Sequence, residues 1–279
     1  MHTTFSDGTE TPEEVLERVR ELGLEIFSVT DHDATGGCEV INGFLRKGDP
    51  VFINGVEFSC RDDLGKYHIL GYGYDPKAPA IRKVLDHGHS LRVIRLNGRL
   101  EFLKTKFGFD FPKEDIDWIV NLKNPGKPHL AQLMVKHGMA RDKDDAIENY
   151  IDMKKFKLVH VSPEEAIEGI LQSGGIPVLA HPVYGDGNQY IRGSELSERI
   201  LRLKAFGLKG VEAFYSEFTD DIIEELLGYA KKYGLYVTAG SDYHGTNKSV
   251  MLGDMGLSRH EMPKEMVGFL DDVLETRRR

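Results

Sequence analysis

The 279-residue sequence is poor in the features that mark several large classes of protein. Its two cysteines, Cys38 and Cys60, are too few for the disulfide framework of a small secreted domain. No apolar run approaches the roughly 20 residues that a membrane-spanning helix needs, and the N-terminus has no basic-then-apolar signal pattern. We therefore expect a soluble protein of the reducing cytoplasm that has no membrane partner.

Positive charge is also in deficit, because 36 Lys and Arg residues stand against 45 Asp and Glu residues, for a formal net charge of −9. A protein that binds long nucleic acids needs a basic surface, so this balance argues against such a partner. A small phosphorylated ligand is not excluded, since bound metal ions can supply local positive charge. Three catalytic signatures are missing as well: the G-x-x-x-x-G-K-[ST] phosphate loop, the G-x-S-x-G elbow and the C-x-x-C pair.

The sequence does contain an alternation of short apolar strands and amphipathic helices. Residues 11–22 predict a helix, because Thr11 and Glu14 can form a capping box and Pro12 suits the first helical position. Strands are predicted at 24–30, 51–57, 67–73, 176–180, 210–214 and 235–239, and further helices at 163–173, 194–206 and 219–233. This alternation predicts a parallel sheet with crossover connections in an α/β protein.

Residues 78–160 interrupt the alternation. They are mostly helical in pattern, rich in Lys and Arg, and contain the only tryptophan, Trp118. We predict three parts: residues 1–77 form the first part of a barrel, 78–160 an inserted helical subdomain, and 161–279 the second part of the barrel.

Imidazole and carboxylate side chains stand at the ends of the predicted strands. The strands are followed or accompanied by Asp31, His32, Asp33, Glu57, His68, His181, Asp242 and His244. In a barrel of alternating strands and helices, such ends converge on one face. Each residue alone has an ordinary explanation, such as a helix cap, a turn or a solvated strand end. The complete set favours a site for divalent Zn, Mn or Fe.

Six segments in this order resemble the PHP (polymerase and histidinol phosphatase) superfamily: HTTFSDG, SVTDHDATGG, GVEFS, HILGYG, LAHP and GSDYHG. The resemblance runs from the first residues to about residue 253. The insertion and its segment GKPHLA (126–131) are similar to a subgroup of stand-alone metal-dependent phosphoesterases that act on nucleotides. The resemblance implies a distorted seven-stranded β/α barrel that holds up to three metal ions.

The resemblance also implies a role for each candidate ligand. His2, Glu57 and Asp242 would hold the first metal, with Glu57 bridging to the second. His68 and His181 would hold the second metal, and Asp7, His32 and His244 the third. The residues that would take part in catalysis are Glu57, His181 and Asp242, while the proton donor to the leaving group stays open between His181 and His244.

The family pattern D-x-H-x-H-T-x-x-S-D-G starts before His2, so its leading Asp, its first His and the strand that carries them are not in the sequence. Three explanations are open: a recorded start inside a longer natural protein, a trimmed chain, or a depleted first metal site. The first two are favoured together, because every later ligand is intact. Next to a chain end, His2 is expected to fray.

The predicted activity is hydrolysis of phosphomonoesters of small nucleotides, such as a nucleoside 3′,5′-bisphosphate, by a metal-bound hydroxide. Arg92 and Arg95 share a helix face, and Lys127 and His129 follow in GKPH. Guanidinium groups suit a second phosphate, so these four residues are predicted substrate contacts, although a solvated basic helix face explains them too.

Three other functions stay open. The same metal chemistry serves a 5′→3′ exoribonuclease on short oligonucleotides, but the acidic net charge favours a smaller substrate. A phosphatase similar to histidinol phosphatase fits the insertion less well. A non-catalytic metal- or nucleotide-binding module would follow from the incomplete H-x-H pair.

Overall fold

The computed structural model describes residues 1–122, 124–156, 159–186 and 189–276. The helices are α1 (Pro12–Glu21), α2 (Gly36–Phe44), α3 (Pro79–Phe107), α4 (Lys113–Val120), α5 (Lys127–Lys136), α6 (Lys143–Asn149), α7 (Pro163–Gln172), α8 (Gly193–Ala205), α9 (Asp220–Tyr233) and α10 (Lys264–Thr276). The strands are β1 (Ile26–Val29), β2 (Val51–Asp62), β3 (Gly65–Tyr72), β4 (Ile176–Leu179), β5 (Gly210–Tyr215) and β6 (Tyr236–Gly240). Short 3-10 helices lie at Ile151–Met153, Gly245–Asn247 and Leu257–Arg259.

The chain forms two units, one from Met1–Leu85 and Val161–Arg279 and the other from Asp86–His160. The first unit contains the whole sheet, and the second is helical. A buried core of its own, including Leu103, Leu130 and Met134, supports the second unit. The predicted limits of an inserted subdomain at 78–160 stay a prediction.

The six strands of the described residues form one sheet in the order β1-β2-β3-β4-β5-β6. The prediction of parallel pairing is correct for β1 with β2, β4 with β5 and β5 with β6. It is wrong for β3, which runs antiparallel to both β2 and β4. The reason is the tight hairpin between β2 and β3, where Asp62 pairs with Gly65, because a link this short cannot make the crossover that parallel strands require.

The reversal of β3 explains how a residue near the start of a strand joins residues at strand ends. His68 pairs with Ser59 of β2, two residues beyond Glu57. The carbonyl of His68 also accepts a hydrogen bond of 3.0 Å from the amide of Ala180, directly before His181. The first residues of β3 therefore lie beside the last residues of β2 and β4, at the same end of the strands.

The predicted helix at 11–22 is confirmed as α1, together with its cap. The Thr11 hydroxyl accepts from the Glu14 amide at 3.3 Å, and the Thr11 amide donates to the Glu14 carboxylate at 2.8 Å. Its buried face, which includes Leu16, joins a core that also contains Phe27 of β1. This packing fixes α1 beside the strand that leads to His32.

The edge strands are β1 and β6. Residues of both line an apolar cavity of about 320 Å³, which Met1 and Phe269 of α10 also line. The prediction of a seventh strand stays a prediction.

Among the described residues, we find no helix that combines the length and the apolar character needed to cross a bilayer.

Candidate metal centre

Glu57 lies at the centre of a cluster of imidazole rings. Its side chain is 2% exposed, and β2 carries it beside the segment that follows β1. Oε2 of Glu57 lies 3.0 Å from Nε2 of His2, and Oε1 lies 2.5 Å from Nδ1 of His68 and 3.2 Å from Nε2 of His181. Nδ1 of His32 is 3.9 Å from Oε2. One buried carboxylate thus faces four imidazoles.

Two further carboxylates extend the cluster. Oδ1 of Asp242 is 3.1 Å from Nε2 of His2. Asp7 faces His244, with Oδ1 of Asp7 and Nε2 of His244 3.3 Å apart, and it also approaches His32 to 4.0 Å. Among the residues that the structure describes, three sets have donor atoms within 4.8 Å of one another: His2, Asp7, His32 and His244; His32, Glu57 and His68; and His2, Glu57 and Asp242.

His2 is held firmly, so the expectation that it frays is wrong. The Met1 carbonyl accepts a hydrogen bond of 2.9 Å from the Thr30 amide, and the His2 amide donates to the Tyr243 carbonyl at 2.8 Å. The first two residues therefore bridge the segments that follow β1 and β6. The ring of His2 stacks on that of His244 with centroids 4.0 Å apart, and His2 is only 1% exposed.

Asp31 anchors the segment that carries His2 and Asp7. Its buried carboxylate accepts hydrogen bonds from the Thr3 amide at 2.7 Å, the Thr3 hydroxyl at 2.8 Å and the Ser6 hydroxyl at 2.7 Å. Such charge-assisted bonds are stronger than neutral ones. The aspartate therefore fixes the loop that presents His2.

Backbone strain is concentrated at this centre. In the described part of the chain, the non-glycine residues with positive φ are Asp33 at 49°, His181 at 26° and Asp242 at 50°. Such conformations persist only where the surroundings enforce them, and they cluster at functional sites. For His181, the amide donates a 2.9 Å hydrogen bond to Oε2 of the buried Glu212. Glu212 thus helps to hold His181 in place.

The protonation of His32, His68 and Glu57 suits metal binding. Burial lowers the pKa of His32 and of His68 to about 3, which keeps both imidazoles neutral. Burial acts to raise the pKa of Glu57, but the surrounding histidines hold it well below its usual value. His2 differs from these groups. Burial acts to lower its pKa, but hydrogen bonding to Asp242 and Glu57 outweighs burial and raises the pKa to about 9, so this imidazole must release a proton before it can bind a metal. Neutral imidazoles and ionised carboxylates are the forms that ligate metals.

The donors fit divalent metal ions on a second ground. Nε2 of His2 lies 3.0 Å from Oε2 of Glu57 and 3.1 Å from Oδ1 of Asp242, and Oδ1 of Asp7 lies 3.3 Å from Nε2 of His244. A cation held between these buried nitrogen and oxygen atoms would offset the charge of the three carboxylates. The mixture of nitrogen and oxygen donors suits Zn, Mn and Fe.

Similar proteins point to phosphoester chemistry. The chain is 32% identical over 252 residues to a 3′,5′-nucleoside bisphosphate phosphatase from Chromobacterium violaceum, a match of 88% of this chain and 85% of that protein. It is 27% identical over 250 residues to a 5′-3′ exoribonuclease from Haemophilus influenzae, covering 87% of this chain and 88% of the relative. No protein-family model matches the chain.

A solved structure has a similar fold. A protein from Bifidobacterium adolescentis, described as a candidate metal-dependent phosphoesterase, superposes with a TM-score of 0.79 at 27% identity over 97% of this chain and 94% of the other. The chain belongs to the PHP superfamily. This PHP protein is a metal-dependent phosphoesterase, a hydrolase that acts on phosphoesters with divalent metal ions.

The structure brings together all eight ligands that the PHP resemblance implies, which are His2, Asp7, His32, Glu57, His68, His181, Asp242 and His244. The division of these residues among three metal ions stays a prediction. Sequence reasoning placed Asp31 among the strand-end carboxylates without indicating its supporting role, and it missed Glu212 altogether. For Glu212 a signal was present, because Gly210-Val211-Glu212 repeats the Gly-Val-Glu motif that ends in Glu57.

The predicted substrate contacts of the PHP chain lie in the helical unit. Lys127 pairs with Asp152 at 2.5 Å, and Nδ1 of His129 accepts from the Gly126 amide at 3.2 Å. Arg95 is 7% exposed and donates to the carbonyl of Val159. Their role toward a substrate, together with that of Arg92 in the same helix α3, stays a prediction.

Proposed function

We propose that the protein hydrolyses phosphomonoesters of small nucleotides and that a nucleoside 3′,5′-bisphosphate is its preferred substrate. The observation that carries this proposal is the close approach of the buried Glu57 carboxylate to four imidazoles, beside two further carboxylates. The relative named as a bisphosphate phosphatase supports the choice of substrate class.

The ligand set is proposed as the resemblance implies it, with Glu57 between a site that contains His2 and Asp242 and a site that contains His68 and His181. Bound divalent ions supply a nucleophile at neutral pH and neutralise charge on the phosphoryl oxygens. We propose manganese, iron or zinc, because nitrogen and carboxylate donors are mixed.

The chain's own residues position the phosphoester. A cleft of about 260 Å³ opens above the cluster. It is lined by His32, Lys66, His68, His181, Tyr184, Tyr215, Glu217, Asp242 and Lys248. Two ammonium groups in this lining attract an anionic substrate. Tyr184 belongs to the same lining, and we propose that its aromatic ring contacts a nucleobase.

The second phosphate is assigned to the basic residues of the helical unit. Nη1 of Arg92 lies 3.8 Å from the position that a Cβ atom on Gly126 would take, and Gly126 directly precedes α5. Lys127 and His129 are in the first turn of that helix, whose unpaired amides favour anions. We propose that Arg92, Arg95, Lys127 and His129 bind this phosphate.

The test measures the release of inorganic phosphate from a panel of substrates by the manganese-loaded protein. We expect a nucleoside 3′,5′-bisphosphate to give a higher kcat/KM than a 3′-monophosphate, a 5′-monophosphate or histidinol phosphate. The Glu57→Gln variant serves as the control, because it keeps the shape of the side chain and removes its charge. Equal rates for wild-type protein and Glu57→Gln would contradict the proposal.

A second candidate is 5′→3′ exonucleolytic cleavage of short oligoribonucleotides. The 27% identical relative from Haemophilus influenzae favours it. A 5′-phosphorylated tetranucleotide in the same panel separates the two activities, because the exonuclease releases nucleoside monophosphates rather than inorganic phosphate.

A further inference from the structure

Lys248 stands on a loop that is tied to the metal centre from both sides. It follows the short helix Gly245–Asn247, which comes directly after His244. The side-chain amide of Asn247 donates to the Asp7 carbonyl at 2.7 Å, and the Thr246 amide donates to the Thr9 hydroxyl at 2.9 Å. The loop therefore keeps a fixed position relative to Asp7 and His244.

The ammonium of Lys248 pairs with a predicted metal ligand. Its Nζ donates to Oδ2 of Asp242, an oxygen that also accepts a 3.0 Å hydrogen bond from the Tyr215 hydroxyl. The other oxygen of Asp242 faces His2 at 3.1 Å. Asp242 is 9% exposed, whereas the side chain of Lys248 is 39% exposed and lines the cleft above the cluster. The lysine is thus the outer partner of this pair.

The same carboxylate cannot serve an ammonium and a metal ion equally well. Two cations that share one carboxylate repel each other, and the repulsion is strong where solvent is partly excluded. The side chain of Lys248 carries a positive charge at neutral pH, as lysine ordinarily does. A metal ion on Asp242 would therefore displace the Lys248 ammonium, and the open cleft beside the lysine gives its side chain room to move.

We propose that Lys248 neutralises Asp242 in the metal-free protein and turns to a phosphoryl oxygen of the substrate once Asp242 binds metal. The proposal rests on the proposed function for the nature of the substrate. A lysine suits both positions, because its compact charge sits on a flexible stem and its three donors need no fixed geometry. The cleft that it lines also contains His32, His68 and His181, so the ammonium and the predicted ligands face one space.

The proposal predicts opposite effects of one substitution on two affinities. In Lys248→Met the metal has no competing ammonium, so Mn²⁺ should bind several-fold more tightly in the absence of substrate. Inorganic phosphate should bind to the manganese-loaded variant about tenfold more weakly, because one charge-assisted hydrogen bond is lost. Calorimetric titration measures both affinities without any turnover.

Two variants make the experiment decisive. Lys248→Arg keeps the charge and should retain phosphate binding, and the exposed Lys47→Met is the matched control and should match the wild type in both titrations. Unchanged or weaker Mn²⁺ affinity in Lys248→Met overturns the proposal, and so does unchanged phosphate affinity. If the wild type hydrolyses no phosphomonoester, the proposed function fails, while the two titrations still decide the role of Lys248.

Discussion

Single residues decide whether the cluster can form, and Asp31 shows this most clearly. The sequence indicated the ligands themselves because they follow apolar strands, and a strand end is visible in a local pattern. It indicated Asp31 as a strand-end carboxylate but not as a support for His2, since its partners Thr3 and Ser6 are more than twenty residues away. Residues that support a ligand through distant contacts leave no local pattern.

We predict that Asp31→Asn loosens the N-terminal segment and with it His2. The amide keeps one acceptor oxygen and loses the negative charge, which should cost about 2 kcal/mol of unfolding free energy. Manganese retained per chain after desalting should fall. Asp49→Asn is the matched control, because Asp49 also accepts hydrogen bonds from Arg20 and the Arg46 amide away from the cluster. Equal metal retention in the two variants would refute the role of Asp31.

A second prediction concerns the support of His181. A methyl group on Gly240 would lie 2.1 Å from Oε1 of Glu212, so Gly240→Ala must displace the carboxylate that accepts from the His181 amide. We expect a loss of about 1–3 kcal/mol in stability and weaker metal retention. Gly228→Ala in α9 is the control, because nothing lies within 4 Å of the new methyl group. The control should gain up to about 1 kcal/mol and retain metal normally.

At the scale of elements, the sequence predicted where strands and helices lie better than how the strands pair. Apolar runs located all six strands, but the expected parallel sheet fails at β3. Nine residues separate the predicted strands 51–57 and 67–73, which is fewer than the dozen or more that a crossover connection needs. This spacing therefore already indicated that the two strands are antiparallel. Both strands also extend beyond their apolar runs, to Asp62 and back to Gly65, because a two-stranded ladder continues through polar residues.

The cap of α1 gives a prediction at this scale. Thr11→Ala removes the hydroxyl that accepts from the Glu14 amide, and the unfolding free energy should fall by about 1 kcal/mol. Metal retention should stay as in the wild type, because α1 contributes no ligand. Chemical denaturation with metal analysis checks both statements, and a loss of metal in this variant would mean that α1 positions the centre directly.

For the whole molecule, the α/β class followed from the alternation of strands and helices, and the family followed from six short segments in order, since together these segments contain both strand ends and ligands. The division into an inserted subdomain, the seventh strand and the substrate contacts stay predictions. Each depends on how distant parts of the chain are arranged, and no local pattern reports that arrangement.

The assignment of the second phosphate is tested by comparing two substrates. Arg92→Ala should raise KM for a nucleoside 3′,5′-bisphosphate about tenfold and leave KM for a monophosphate unchanged, because one charged contact is lost. Lys104→Ala, an exposed basic residue of the same helix α3 that pairs with Asp110 at 3.0 Å, is the control. An unchanged KM for the bisphosphate would remove Arg92 from the proposed site.

The central claim is that Glu57 and the seven predicted ligands around it form a working centre for several metal ions, and metal content tests it most directly. The protein is loaded with Mn²⁺, desalted and examined by elemental analysis, with Glu57→Gln in parallel. We predict about three ions per chain, the number that the resemblance implies, and fewer in the variant. A wild-type protein that retains no metal would contradict the account.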